Sequence, residues 1–207
     1  MVKKLVLGLV MLLTASMTLS ACSQVENAGA AAIVEGKEIS ISTVSQQYKE
    51  IMTDLDGGLK PGTDKSMTRA IVGAFIVNEL VAHAAEELGV AVSEATAQLM
   101  ERNYISSFGG KKAFLKTAAG SGIARSAIRQ NVYTSANFEA IGVALDPTGD
   151  SNTQSDAAIQ FLLDYIKHID IEVNPRFGQW NAQTFSLVNT ASDGTISWKQ
   201  LKFALAK

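Results

Sequence analysis

The sequence predicts a mainly α-helical domain that carries a small two-stranded antiparallel sheet. Most of the chain between residues 43 and 169 repeats its apolar side chains every three or four positions, as in helices packed on a core. Two short stretches indicate strands. In AAIVEGKEIS, near the start of the domain, Ala32 and Val34 alternate with Ile33 and Glu35 before a turn, and IDIEVNP, after the last helical stretch, alternates apolar and polar residues. Because an isolated strand leaves its backbone groups unpaired, these two strands are expected to pair with each other.

The first 21 residues have the order of a secretory signal peptide. Lys3 and Lys4 precede the apolar run LVLGLVMLL, which then softens into small and polar residues. A membrane-spanning helix needs about 20 residues of sustained apolar character, whereas this run is interrupted by Thr14 and Ser16. We therefore expect residues 1–21 to be cleaved rather than to span the membrane.

Cys22 is the only cysteine in the chain and directly follows the expected signal peptide. Leu19, Ser20 and Ala21 before it resemble the lipobox of bacterial lipoproteins, which implies that Cys22 becomes the lipidated first residue of the mature protein. Two or three acyl chains such as palmitate anchor a protein firmly, so the expected location is the extracytoplasmic face of the cell membrane. Two alternatives are an incidental cysteine in a secreted protein and a reactive thiol, which the flexible composition that follows would not activate.

Charge and size limit the partners that this chain can have. Removal of the signal peptide would leave 16 basic and 20 acidic residues, interspersed rather than collected in a basic patch. That balance argues against a nucleic-acid partner. With no second cysteine, a mature domain of about 170 residues must be held together by its core. The expected organisation is a signal peptide (1–21), a lipidated tether (22–30), a helical domain (31–181) and a C-terminal extension (182–207).

The first half of the domain begins with a strand and a turn in AAIVEGKEIS. Ser42 or Thr43 is then the expected N-cap of a first helix, which ends before the breaker-rich DGGLKPGTDK. A second helix within residues 66–89 has an apolar face wide enough for a core contact. That face consists of Val72, Ile76, Leu80, Ala84 and Leu88, with Ile71 and Phe75 at its flank.

The second half is predicted to contain four further helices and one long loop. Gly89 should close the second helix, and Ser93 should be the N-cap of the third. A short helix follows in KKAFLKTAAGSG, and another within residues 123–142. The stretch DPTGDSNTQ, residues 146–154, has the composition of a surface loop. Helical periodicity then returns over residues 156–169, before the return strand.

The order of these features resembles the N-terminal domain of SurA-type chaperones. The resemblance is carried by AAIVEGKEIS, by the helix that follows it, by GVAVS before the third helix, by FLKTAAGSGIARSAIRQNV and by IEVNPRFGQWN. Short SurA-like lipoproteins of Gram-positive bacteria carry a similar strand and turn after their last helix. The resemblance covers roughly residues 30–181 and implies a helical domain whose last segment folds back onto the first strand.

The resemblance also implies a function. Larger members carry a parvulin-type prolyl isomerase domain between the helices and the return strand, and the predicted loop at 146–154 is too short to hold one. The chain is therefore expected to be a lipid-anchored extracytoplasmic chaperone that binds unfolded or exported polypeptides without catalysis. An interaction module for one specific cell-surface complex is an alternative. A peptidyl-prolyl isomerase is a third, which the missing domain argues against.

No catalytic or metal-binding constellation is recognisable in the sequence, and no cofactor is expected. His83 and His168 are the only histidines, and neither has a second ligand at metal-binding spacing. The segment that starts at Asn189 imitates a calcium-binding loop, but Ala191 and Gln200 stand where ligands are needed. FGGKKA lacks the first glycine and the final Ser or Thr of a phosphate-binding loop.

Aromatic residues are the remaining candidates for a binding site. Those proposed to line a peptide-binding groove are Tyr104, Phe108, Tyr133, Phe177 and Trp180. Aromatic side chains serve binding surfaces and cores alike, so the alternative is that Phe177 and Trp180 cover the edge of the core where Pro175 ends a strand. The final segment SWKQLKFALAK is expected to be either a docked helix or an amphipathic tail that touches lipid.

Overall fold

A computed structural model describes residues 29–55 and 63–189 of the 207-residue chain. The chain begins with a hairpin of β1 (Ala30–Val34) and β2 (Lys37–Ser40). The helices that follow are α1 (Ile41–Asp54), α2 (Thr63–Glu87), α3 (Glu94–Ser107), α4 (Lys111–Gly120), α5 (Ile128–Leu145) and α6 (Ser151–Tyr165). Three short strands end the described part, β3 (Ile171–Val173), β4 (Gln179–Asn181) and β5 (Ser186–Val188). The predicted fold class, mainly helical with a small antiparallel sheet, is confirmed.

The expected pairing between the first strand and the return strand is confirmed, although the sheet has three strands rather than two. Its order is β2-β1-β3, with Ile33 opposite Glu38 on one side and Glu172 on the other. The two-residue turn at Glu35 and Gly36 has positive φ at both positions, the geometry that matches the twist of a hairpin. β2 contains a single buried side chain, so the sequence pattern predicted only a turn there.

Serine side chains set the starts of two helices. Ser40 is the N-cap of α1 and accepts a hydrogen bond from the Thr43 backbone N–H at 3.1 Å. The predicted caps Ser42 and Thr43 are therefore wrong by two or three positions, because β2 runs directly into the helix. Ser93 is confirmed as the N-cap of α3 and accepts from the Thr96 backbone N–H at 3.1 Å.

The end of α2 was predicted correctly, whereas the start of α6 was not. Gly89 closes α2 with a φ of 69°, as expected for a glycine C-cap. The predicted loop at 146–154 is too long, because α6 begins directly after Asp150. The Asp150 carboxylate accepts hydrogen bonds from the backbone N–H groups of Asn152 and Thr153 at 2.8 and 3.0 Å. This cap turns the polar end of the stretch into the first turn of a helix.

The core consists of three clusters, and α2 contributes to two of them. The first lies beneath the three-stranded sheet, between α1 and α2, and the second joins α2 to α5 and α6. The third is formed by α3, α4 and the start of α5. The predicted core face of α2 is confirmed at Val72, Ile76, Leu80 and Ala84, each fully buried, while Leu88 is partly buried.

The chain after the sheet turns back onto α2. The Asn174 backbone N–H donates to the Ala31 carbonyl at 3.0 Å, and Pro175 then starts a single 3-10 turn. β4 and β5 form a hairpin whose register pairs Gln179 with Val188, and β5 packs against Gly73 of α2. The expected boundary between domain and extension at residue 181 falls inside this hairpin.

Several predicted features lie outside the described residues. These are the signal peptide, the lipobox residues Leu19, Ser20 and Ala21, the lipidation site Cys22 and residues 190–207. The tether prediction falls there too, except for its last two residues. Within 29–55 and 63–189, none of the helices combines the length and apolar character that crossing a membrane requires.

Candidate functional site

A groove of about 200 Å³ lies between α1, α2 and the segment that leads into α5. We refer to it as the α2–α5 groove. Its α2 wall consists of Ala70, Ile71, Ala74, Phe75, Asn78 and Glu79. The facing wall includes Gly122, Ile123, Ala124, Gln130 and Asn131, and Gln47 contributes from α1. The groove thus combines small and aliphatic side chains with side-chain amides.

The spacing of small residues on α2 explains why a gap remains between the helices. Ala70, Ala74 and Asn78 follow one another at intervals of four and therefore form one line on the helix surface. An alanine side chain ends at Cβ, so it does not fill the space that a leucine would fill at the same position. Phe75, half-buried beside this line, forms a side of the opening.

The two long walls run in the same direction. At one end, a Cβ at Gly122 would come within 3.3 Å of the Met67 sulfur, so these two residues are neighbours. At the other end, the Thr134 hydroxyl donates a hydrogen bond of 2.8 Å to the Asn78 side-chain oxygen. Increasing residue numbers on α2 and on the facing wall therefore lead toward the same end of the groove.

Side-chain amides are buried along this interface. Asn78, Asn131 and Gln47 are 6%, 8% and 9% exposed, and Thr134 is fully buried. Burial of an unpaired amide is costly, so amides that line an opening are placed where a ligand or water can satisfy them. A carboxamide carries both a donor and an acceptor, the same pair of groups that a peptide backbone presents. None of these amides was among the residues predicted from the sequence, because an amide within a helix is equally typical of an exposed position.

Among the described residues that line the groove, only Glu79 has a charged side chain. Its carboxylate is paired with the Lys37 ammonium at 2.8 Å, and the β1–β2 hairpin brings that lysine to the mouth of the groove. The Glu79 side chain is 16% exposed, whereas the Lys37 side chain is 64% exposed. The carboxylate is thus held by the fold, while its partner extends into solvent.

Glu50 of α1 holds the facing wall in place. Its carboxylate accepts a hydrogen bond from the Ser126 backbone N–H at 2.9 Å, and Arg125 pairs with Asp54 at 2.9 Å. Burial acts to raise the pKa of Glu50, but the hydrogen bonds from Ser126 and Gln46 outweigh it and lower that pKa below its usual value. Glu50 therefore stays ionised at neutral pH and ties the turn before α5 to α1.

The aromatic candidates fall in different parts of the structure, and none of the five lines the α2–α5 groove. Tyr104 and Phe108 pack against the third core cluster, and burial raises the pKa of Tyr104. Phe177 is buried in the first cluster, and Trp180 packs against the first and second. Tyr133 is half-buried on α5. Their role in peptide binding stays a prediction.

The other sequence candidates are dispersed. His83 is half-buried on α2, and His168 is exposed after the end of α6. Of the calcium-loop segment, Asn189 alone belongs to the described residues. Across residues 29–55 and 63–189, three metal-binding side chains do not come together anywhere.

The chain was compared with protein-family models, curated proteins and solved structures. A family model described as a SurA-like N-terminal domain matches residues 1–121, more than half of the chain. No curated protein and no solved structure matches the chain significantly. The matched range contains the β1–β2 hairpin and the helices α1 to α4, so it includes the α1 and α2 walls of the groove.

Proposed function

The chain belongs to the SurA-like N-terminal domain family, and on that premise we propose that it is a lipid-anchored chaperone on the extracytoplasmic face of the cell membrane. The family is of a chaperone type. In this proposal the protein binds unfolded or exported polypeptides by apolar and hydrogen-bonding contacts and catalyses no reaction.

The observation that carries the proposal is the chemistry of the α2–α5 groove. Asn78, Asn131 and Gln47 offer donors and acceptors to a backbone, which every polypeptide has. Ala70 and Ala74 leave room for side chains without demanding a particular one. A groove of this kind suits an extended segment of many different sequences, because affinity comes from the backbone and from unspecific apolar contact.

Short connections in the fold support binding without catalysis. Residues 146–150 join α5 to α6, and residues 166–170 join α6 to β3. Neither stretch has room for an inserted domain of the size that a parvulin-type isomerase needs. Only five residues therefore separate α6 from α5, and only five separate it from the return strand β3.

The position of the tether supports action at the membrane surface. Ala30, the first residue of β1, comes eight residues after Cys22. Eight extended residues span at most about 29 Å, so a lipid on Cys22 would keep the groove close to the surface where exported chains emerge. A Cys22→Ala variant should move from the membrane to the soluble fraction and lose incorporated labelled palmitate. Unchanged membrane association of this variant would contradict the lipid anchor.

The chaperone function is tested with soluble protein of residues 23–207 and an unfolded secreted protein whose aggregation is followed by light scattering. The wild type should suppress aggregation at near-stoichiometric amounts. Ala74→Phe, which fills the groove, should abolish suppression, whereas Ala95→Phe should not, because Ala95 is an exposed alanine on α3. Thermal melts of both variants check that they fold. No suppression by the wild type with several unrelated clients would refute this function and favour an interaction module for one cell-surface complex.

A further inference from the structure

The α2–α5 groove has chemically different ends. One end is formed by Ala70, Gly122 and Ile123, which are small or apolar. The other end holds Asn78 and Glu79 on α2, with Gln130 and Asn131 opposite. Gly122 lies near Met67, and Thr134 contacts Asn78. The two walls therefore run parallel, so the apolar residues of both walls lie at one end and the polar residues of both walls at the other.

The length of the groove corresponds to a short extended segment. From Ala70 to Glu79 the helix rises about 13 Å, and an extended chain advances about 3.3 Å per residue. A bound segment with one side chain at the apolar end therefore places a side chain three or four residues away beside Glu79. The side chains at the two ends differ in polarity and charge, so selectivity between bound segments resides there.

The polar end carries the Glu79–Lys37 ion pair, whose cation is mostly exposed to solvent. Glu79 supplies the negative charge of the described lining, and its partner Lys37 is mostly exposed. An exposed lysine pair contributes little to stability, so a cation on a bound segment can share or replace it. An acidic side chain at the same place would meet the Glu79 carboxylate and be repelled.

We infer that the groove selects extended segments in which an apolar residue and a basic residue are separated by three or four positions, with the basic side chain at Glu79. This inference rests on the proposed peptide binding and adds to it a class of preferred segment. Such segments are apolar stretches with a flanking lysine or arginine, and segments with a flanking acidic residue are disfavoured.

The first experiment compares three fluorescein-labelled decapeptides by anisotropy with the soluble protein of residues 23–207. Each has a Val-Leu pair in a Gly/Ser background, and Lys, Gln or Glu stands four positions after the leucine. The Lys peptide should bind about threefold to fivefold more tightly than the Gln peptide, as expected for one partly exposed charge pair. The Glu peptide should bind more weakly than both. A fourth peptide with the lysine next to the leucine should lose the advantage.

Three variants locate the effect. Glu79→Gln should reduce the ratio between the affinities for the Lys and Gln peptides to about one. Lys37→Met should increase the preference for the Lys peptide over the Gln peptide, because the Glu79 carboxylate loses its partner within the protein. If the ion pair had only a structural role, this preference would not increase. Glu139→Gln removes an exposed carboxylate elsewhere on α5 and should leave the ratio unchanged.

The outcomes separate this inference from the proposed function. Equal binding of the Lys, Gln and Glu peptides by the wild type would overturn the inference and leave polypeptide binding intact. Binding of none of them would overturn both. A groove filled by residues 190–207 or by a second copy would bind the peptides only after truncation or dilution, and either result would also overturn the inference.

Discussion

The two faces of α2 differ in burial and in the size of their side chains. On one face Val72, Ile76 and Leu80 are fully buried beneath the sheet and among neighbouring helices. On another, Ala70 and Ala74 line an open groove. Burial of a branched aliphatic side chain contributes about 1.5–3 kcal/mol, and an alanine contributes much less. The difference shows that α2 stabilises the fold with one face and borders an open groove with the other.

The largest effect is expected from the core face. Ile76→Ala removes three buried carbon atoms from the first core cluster and should lower the free energy of unfolding by about 2–5 kcal/mol. Urea denaturation followed by circular dichroism measures this change. A loss below about 1 kcal/mol would show that this face of α2 is not the main contact of the fold.

A smaller effect is expected from the buried hydrogen bond between Thr134 of α5 and Asn78 of α2. Thr134→Val leaves the buried Asn78 oxygen without its 2.8 Å hydrogen bond and should cost about 1–3 kcal/mol. Replacing both partners, in Asn78→Leu with Thr134→Val, should recover part of this loss because no buried polar group remains unpaired. A double variant less stable than the sum of the two single changes would contradict this account.

The groove face should be nearly neutral for stability. Ala74→Phe places its ring in the α2–α5 groove and should change the free energy of unfolding by less than about 1 kcal/mol, while the proposed function predicts that suppression of aggregation is lost. Denaturant unfolding and the aggregation assay, done on the same preparation, compare the two quantities directly. A large destabilisation would mean that the groove is part of the packed core.

The smallest effect is expected at a site remote from both faces of α2. Hydrogen bonds from the Thr153 and Asn152 backbone N–H groups lower the pKa of Asp150 below its usual value. This stabilising contribution is therefore present above the unfolded-state pKa and is lost as the pH falls through the lower folded-state value. Asp150→Asn keeps a capping side chain and removes the titration, so the stability difference between wild type and variant should shrink in acid. A difference that is constant from pH 7 to pH 2 would show that the carboxylate charge does not matter.

Local patterns predicted the elements that depend on neighbouring residues. The apolar spacing of Val72, Ile76 and Leu80 identified the buried face of α2, and Gly89 and Ser93 identified helix ends. β2 and the β4–β5 hairpin were missed, whereas the equally short β3 was identified because the alternation continues beyond it, from Ile169 to Asn174. Ser40 was missed as a cap because the strand and the helix share a boundary without a loop.

A helical domain with one strand at each end can be predicted from the amino-acid sequence alone, because periodicity and the cost of unpaired backbone groups are properties of short segments. The groove, in contrast, depends on tertiary packing. Asn78 and Asn131 are 53 positions apart, and neither residue differs in its local pattern from an exposed or a core position. Their burial at one opening follows from the packing of α5 along the alanine line of α2, and that geometry arises only when both helices are in place.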